Sequence, residues 1–364
     1  MKFTCDRSVL LNEISLAQEI ISSKMAISIL SNIYMEAEND TLLIKATDMK
    51  VNFETRVPVT VLEPGSTTVF GDKFFGIISS IPEGEMEFDQ KEKITIRTSV
   101  KKYHAQLKSI ASEKFPEFPQ SASKFFDIPI RDFKEMILQT VFAVSDDETR
   151  FFMNGVYFEK SGEKVIMVAT DGRRLAYISK EAPSGIDDFT GVIIPPKILN
   201  IIMKRSGDEG SVSISVTDRI IYISFGFYKL SSVLLDGQFP NYSKVIPEDQ
   251  SYSVLINRRE MLDALRRVSL MVEQKSHRVY LGLSSGSLGV YSEESEIGTA
   301  REDIPCQYEG EEVNIALNYR YIEDPFKAMN SDEVCIRFTD PKKAITIQPV
   351  PESDFFHIIM PMQV

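Results

Sequence analysis

The sequence is poor in the features that most readily announce an activity. Cysteine occurs at Cys5, Cys306 and Cys335, and histidine at His104, His277 and His357. Three scattered cysteines without C-x-x-C spacing argue against a disulfide framework and a cysteine-held zinc. The histidines are equally scattered and read as surface or hydrogen-bonded side chains, not as a metal cage. No apolar run approaches the roughly 20 residues that span a bilayer, so no membrane is implied. Met1-Lys2-Phe3-Thr4-Cys5-Asp6 lacks the charged-then-apolar layout of a signal peptide. The expected location is cytoplasmic. Neither the phosphate-cradling patterns G-x-x-x-x-G-K-S/T and G-x-G-x-x-G nor the nucleophile elbow G-x-S-x-G occurs, so no cofactor is expected and catalysis has no visible seat. Positive charge is short as well: 41 Lys and Arg stand against 53 Asp and Glu, a net charge of −12. That discourages a nucleic-acid reading, but where the positive charge sits matters more than its sum.

What is present is repetition. Phe3-Thr4-Cys5-Asp6, Phe126-Asp127-Ile128-Pro129 and Tyr252-Ser253-Val254-Leu255-Ile256-Asn257 are short strands. Each ends near a polar residue suited to capping (Asp6, Arg131-Asp132 or Asn257) and leads into an amphipathic helix. In the third copy Leu262, Leu265 and Val268 trace the apolar stripe, with Met261 beside it. A second strand-to-helix step recurs at Thr68-Val69-Phe70, at Val192-Ile193-Ile194 before Pro195-Pro196, and at Val313-Asn314-Ile315-Ala316-Leu317. Proline is tolerated in a first helical turn because its missing N–H would be unpaired there anyway. Alternating strands follow, with hairpins expected around Thr217-Asp218-Arg219 and between Val334-Cys335-Ile336-Arg337-Phe338 and Ala344-Ile345-Thr346-Ile347. Lys45-Ala46-Thr47-Asp48-Met49 echoes Val168-Ala169-Thr170-Asp171-Gly172, and Phe115-Pro116-Glu117-Phe118-Pro119 echoes Phe239-Pro240-Asn241-Tyr242. A period of about 120 residues is too long for a solenoid and points to duplicated domains. The fold class is α+β: three tandem copies of a two-helix, antiparallel-sheet module, over 1–122, 123–249 and 250–364.

Charge follows the elements. Lys197, Lys204 and Arg205 occupy one predicted helix without acid; Arg258, Arg259, Arg266, Arg267 and Lys275 gather around another. Arg259 and Arg266, seven apart, share a face. Acid concentrates in strands and loops, as at Glu83, Glu85, Glu87, Glu309, Glu311 and Glu312. The run Asp146-Asp147-Glu148 is a solvated loop or a hard-cation site. On residues alone three readings stand: a scaffold with basic helices on one surface, a repeat-domain protein-interaction adaptor that never encircles DNA, and a metal enzyme built on that run.

Over its whole length the chain resembles the beta sliding clamp of bacterial DNA polymerase III. The resemblance rests on Glu63-Pro64-Gly65-Ser66-Thr67-Thr68-Val69, Lys73-Phe74-Phe75, Arg150-Phe151-Phe152-Met153-Asn154-Gly155, Ala169-Thr170-Asp171-Gly172-Arg173-Arg174-Leu175-Ala176, Asp236-Gly237-Gln238-Phe239-Pro240-Asn241-Tyr242 and the terminal Met360-Pro361-Met362. It implies a non-catalytic DNA clamp fold that closes into a ring as a head-to-tail homodimer, encircles duplex DNA without regard to sequence, and confers processivity. It implies DNA contacts at Lys24, Phe152 and Lys197; Arg266 is added from charge placement alone. It implies a groove in which the polymerase alpha subunit, the clamp loader, other polymerases and repair proteins insert a short hydrophobic peptide motif. The matching groove positions are Met153, Thr170, Gly172, Arg173, Arg174, Leu175, Pro240, Val245, Ile358, Met360 and Met362, with Asn318 and Tyr321 completing it. Lys73 and Leu107, with Leu270 and Met271, match the two sides of the family's ring interface. This chain departs from the best-known members at Asp72 and Asp147, which replace polar or basic DNA-facing residues. It departs also at the Phe151-Phe152 pair, which replaces two tyrosines, and at Arg173 and Gln363.

Overall fold

The computed structural model describes residues 1–21, 29–98, 103–186, 189–296 and 298–363. Among these residues six α-helices are set among antiparallel strands: α1 (Arg7–Ile20), α2 (Gly71–Ser80), α3 (Ile130–Thr140), α4 (Pro196–Arg205), α5 (Arg258–Val268) and α6 (Tyr319–Ala328). Local chemistry accounts for their starts. Asp6 accepts from Ser8 N, Asn257 from Arg259 N and Glu260 N, and Asn318 from Arg320 N, which satisfies N–H groups that have no partner inside the helix. α3 differs from expectation. It begins at Ile130, whose N–H donates to Gly210 O, so Arg131 and Asp132 lie inside the first turn. There the Asp132 carboxylate is favoured by the helix dipole. The buried face of α5 is Met261, Ala264, Leu265 and Val268, a three-to-four spacing; Leu262, expected in the stripe, is half-buried.

The chain packs as two compact units: Met1–Ile130 with Asn200–Leu234, and Arg131–Leu199 with Leu235–Val364. The division cuts through the middle repeat because sheets run across the sequence boundaries. In the first unit, the strand Val51–Pro58 pairs with Tyr228–Val233 inside a nine-stranded sheet, and a five-stranded sheet ends on His104–Leu107. In the second, Arg174–Glu181 pairs with Phe355–Ile359 inside a twelve-stranded sheet. The two expected hairpins form, Ser211–Val216 with Ile220–Phe225 and Glu333–Phe338 with Ile345–Val350.

Aromatic residues fill both cores. In the first unit Phe3 stacks on Phe88 at 4.9 Å, with Phe74 edge-on at 6.1 Å; in the second Phe133 meets Phe158 edge-on at 6.4 Å. Among the described residues, no helix is long and apolar enough to cross a membrane.

Candidate functional site

A turn builds the site. The strands Lys164–Thr170 and Arg174–Glu181 are joined by Asp171, Gly172 and Arg173. Asp171 Oδ1 accepts from Arg173 N at 2.9 Å and Arg174 N at 3.0 Å. Thr170 Oγ1 accepts from Gly172 N at 3.0 Å and donates to Arg174 O at 2.6 Å. Gly172 carries a φ of +84°, the left-handed region glycine enters most easily. The C-terminal strand then docks beside the turn, Met360 N donating to Arg173 O at 2.8 Å.

These elements enclose a cavity of about 270 Å³. Met153, Thr170, Leu175 and Ile358 are its buried floor; Pro240, Tyr242, Val245 and Met360 are its walls. Gly172, Arg173, Arg174 and Asn241 complete the lining. Val245 is 54% exposed and Met360 46%, so the walls present apolar surface to solvent. Leu175 and Ile358 of the floor belong to a buried cluster with Ile166, Val168, Ile193 and Phe239.

Arg174 locks the site to its surroundings. Its guanidinium donates to Asp171 Oδ2 at 3.0 Å, Asp324 Oδ2 at 2.6 Å and Phe142 O at 2.6 Å, and lies 4.6 Å from the Tyr321 ring centroid. On the opposite wall Glu159 accepts from Tyr242 at 2.5 Å and Tyr157 at 3.0 Å. Burial and that carboxylate push the Tyr157 hydroxyl up to about 12 and the Tyr242 hydroxyl higher still, so both act as neutral donors. The arrangement has a buried apolar floor, apolar walls and tyrosine donors, and no nucleophile–base pair among the lining residues. It is suited to holding an apolar peptide side chain, with a flexible methionine at its lip.

The expected groove residues thus largely converge, with three placed elsewhere. Asn318 is the cap of α6, Tyr321 stacks on Arg174 behind the cavity, and Met362 lines a neighbouring cavity of about 460 Å³ with Asn314, Ala316 and Lys342. Asn241 and Tyr242 line the cavity and were not anticipated, although the echo of Phe239-Pro240-Asn241-Tyr242 in the first repeat pointed at this segment. Lys24 lies outside the described residues. Phe152 is half-buried against the groove's core cluster, Lys197 stands in the first turn of α4, and Arg266 is exposed in the last turn of α5. Lys73 is exposed and paired with Asp72 at 3.3 Å; Leu107 lies on the edge strand of the five-stranded sheet. Leu270 is 76% exposed beside half-buried Met271. Within the acidic run, Asp147 caps a short turn by accepting from Thr149 N, and pairs with Arg150 at 3.7 Å. Among the described residues no cluster of His, Cys, Asp or Glu is arranged to hold a metal ion.

The family described as DNA polymerase III beta subunit matches the chain in three parts: its N-terminal domain over residues 1–119, its central domain over 127–241 and its C-terminal domain over 243–363. The beta sliding clamp of Treponema pallidum is 48% identical over 369 residues, and that of Escherichia coli 27% over 368, each covering 100% of both chains. Among solved structures, the DnaN sliding clamp of Bartonella birtlesii bound to griselimycin superposes with a TM-score of 0.93 at 30% identity. That of Pseudomonas aeruginosa with the same ligand gives 0.92 at 26%. Both cover 100% of each chain.

Proposed function

The chain belongs to the DNA polymerase III beta subunit family, and from that premise we propose that two copies close head to tail into a ring that encircles duplex DNA in the cytoplasm. It is a DNA sliding clamp, the non-catalytic subunit that serves DNA polymerase III in replication. Its modules are 1–122, 123–249 and 250–364. The observation that carries ring closure is the pairing inside each unit. Strands Val51–Pro58 and Arg174–Glu181, each following a hairpin, pair with Tyr228–Val233 and Phe355–Ile359. Their counterpart in the third module, Arg301–Gln307, pairs on one side alone over 301–305. The counterpart of the receiving strands, His104–Leu107, is a sheet edge. Two complementary free edges on one chain make a heterologous contact that covers both of them when two copies close as a ring. Lys73, Leu107, Leu270 and Met271 are assigned to this interface.

The cavity at Met153 to Met360 is the docking groove for the polymerase alpha subunit, the clamp loader, other polymerases and repair proteins, each inserting a short hydrophobic motif. The DNA contacts are assigned to Lys24, Phe152, Lys197 and Arg266. Loading onto a nicked circular duplex and then cutting the circle tests the reading. A topologically held clamp is retained on the circle and lost from the linear product. An adaptor that does not encircle DNA is never retained, and that result overturns the proposal.

A further inference from the structure

The repeats match strand by strand, so the side chains meeting at each junction can be compared. Four residues before α1, α3 and α5 stand Phe3, Phe126 and Val254. Register carries each to an outermost strand: Phe3–Phe88–Ile96–Ala105, Phe126–Ile214–Ile223–Leu230 and Val254–Ile336–Ile347–His357. Ala105, Leu230 and His357 are therefore counterparts. So are Leu16, Gln139 and Arg267, at the same step along their helices. In the second unit the two positions touch, Gln139 Oε1 lying 3.1 Å from His357 Nε2. In the first they are Leu16 and Leu230, both buried. In the proposed ring the corresponding positions are Arg267 and Ala105 of the partner subunit, the longest helix side chain of the three opposite the shortest strand side chain.

The facing strand matches in the same way. Val69, Ile194 and Leu317, two residues before α2, α4 and α6, pair with Ile33, Val156 and Val279. Two residues further along those strands run the rows Met35–Ile44–Thr55, Phe158–Met167–Ile178 and Leu281–Val290–Glu302. Thr55 and Ile178 are buried; their counterpart Glu302 is a half-exposed carboxylate. Arg267 grips it with two bonds, Nε to Oε2 at 2.7 Å and Nη2 to Oε1. Phe355, opposite Ile178, is the counterpart of Tyr103, which is exposed and brings a hydroxyl able to donate to a carboxylate, as its other counterpart Tyr228 donates to Glu13 at 2.8 Å.

We propose that ring closure buries the Arg267–Glu302 ion pair beneath Tyr103 and Ala105 of the partner subunit, and that this pair fixes the strength of the contact between two copies. The inference rests on the ring reading above. The pair is already made within one chain, so closure desolvates it without having to assemble it. Removing one partner then strands a buried charge, whereas replacing both by apolar groups is tolerated.

Sedimentation equilibrium of the full chain tests this, with thermal unfolding as the check on each variant's fold. Glu302→Gln and Arg267→Gln are each expected to raise the dimer Kd about tenfold or more. The double variant Arg267→Leu/Glu302→Ile, which copies Leu16 and Ile178, is expected to stay within about threefold of the unsubstituted chain. A dimer unchanged in both single variants, or a double variant as weak as the singles, overturns the inference and leaves the ring reading standing. An unsubstituted chain that is monomeric at every concentration overturns the ring reading, and the inference with it.

Discussion

Met49 and Gly172 hold the same place in two copies of one turn. Asp48 Oδ1 accepts from Lys50 N and Val51 N as Asp171 Oδ1 does from Arg173 N and Arg174 N, and Val233 N donates to Lys50 O as Met360 N does to Arg173 O. Both turns need a left-handed residue, with φ of +72° at Met49 and +84° at Gly172. A non-glycine residue there costs roughly 1–2 kcal/mol, partly offset by glycine's extra unfolded-state entropy. Met49→Gly should therefore stabilise the chain by about 0.5–1 kcal/mol in urea unfolding. His357 makes the opposite kind of demand. It is fully buried, with Gln139 at Nε2 and no partner at Nδ1. Burial, helped by the nearby Arg174 charge, depresses its proton affinity from an ordinary 6.5 to about 3. Below 6.5 the unfolded chain binds the proton and the folded chain does not. Stability from the neutral ring is thus complete above 6.5 and lost as pH falls towards 3, by about 1.4 kcal/mol per pH unit. His357→Leu, which copies Leu230, should remove that slope. If the stability difference between the two proteins stays constant from pH 7 to 5, His357 is not held neutral by burial.

At the scale of elements, the two units carry the same junction with different chemistry. The first also holds a cavity of about 270 Å³, lined by Asn52, Glu54, Lys229 and Ser231 where the second has Leu175, Tyr177, Phe356 and Ile358. An apolar motif gains nothing from a floor of amide, hydroxyl and ion pair. Leu175→Asn, importing the Asn52 side chain, should weaken binding of a hydrophobic motif peptide at least about tenfold in a fluorescence titration, at unchanged dimer mass. Deleting 360–364 removes the Met360 wall and the tail's bond to Ala316 O. Peptide binding should vanish and the dimer persist; retained affinity would refute the groove assignment. These contrasts also explain what was legible in the sequence. Asp6 and Asn257 announce helices because capping is a local rule, and the three-to-four spacing gives α5 a buried face. The shift from Leu262 to Ala264 within that face was invisible, because the direction of burial is set by strands far along the chain. Met153, Pro240 and Met360 were found through family resemblance. Asp324 reaches the site only through its bond from Arg174, across 150 residues of sequence, which periodicity does not encode.

For the whole molecule, net charge and mode of binding must be reconciled. A net charge of −12 works against holding DNA by a broad basic footprint, and a clamp that slides does not need one. A contact-held protein that neutralises Z phosphates loses affinity with a log–log salt slope of about −0.9Z. Six such contacts cost roughly a thousandfold between about 50 and 200 mM salt. Encirclement separates lifetime from contact strength, because release requires an opened ring or a free DNA end. The few basic residues proposed to contact DNA are then expected to guide sliding without anchoring the ring. On a nicked circle the lifetime of the loaded chain should change less than about threefold over that salt range, while binding to a short linear duplex should be weak with a shallow slope, Z of about 3 or less. The ring contact should not undo this, since a buried ion pair is screened far less than an exposed one. Tracking fluorescent chains on single circles across the salt series decides the matter. A lifetime on circles that falls as steeply as affinity for linear DNA would mean the protein is held by contacts, not by topology.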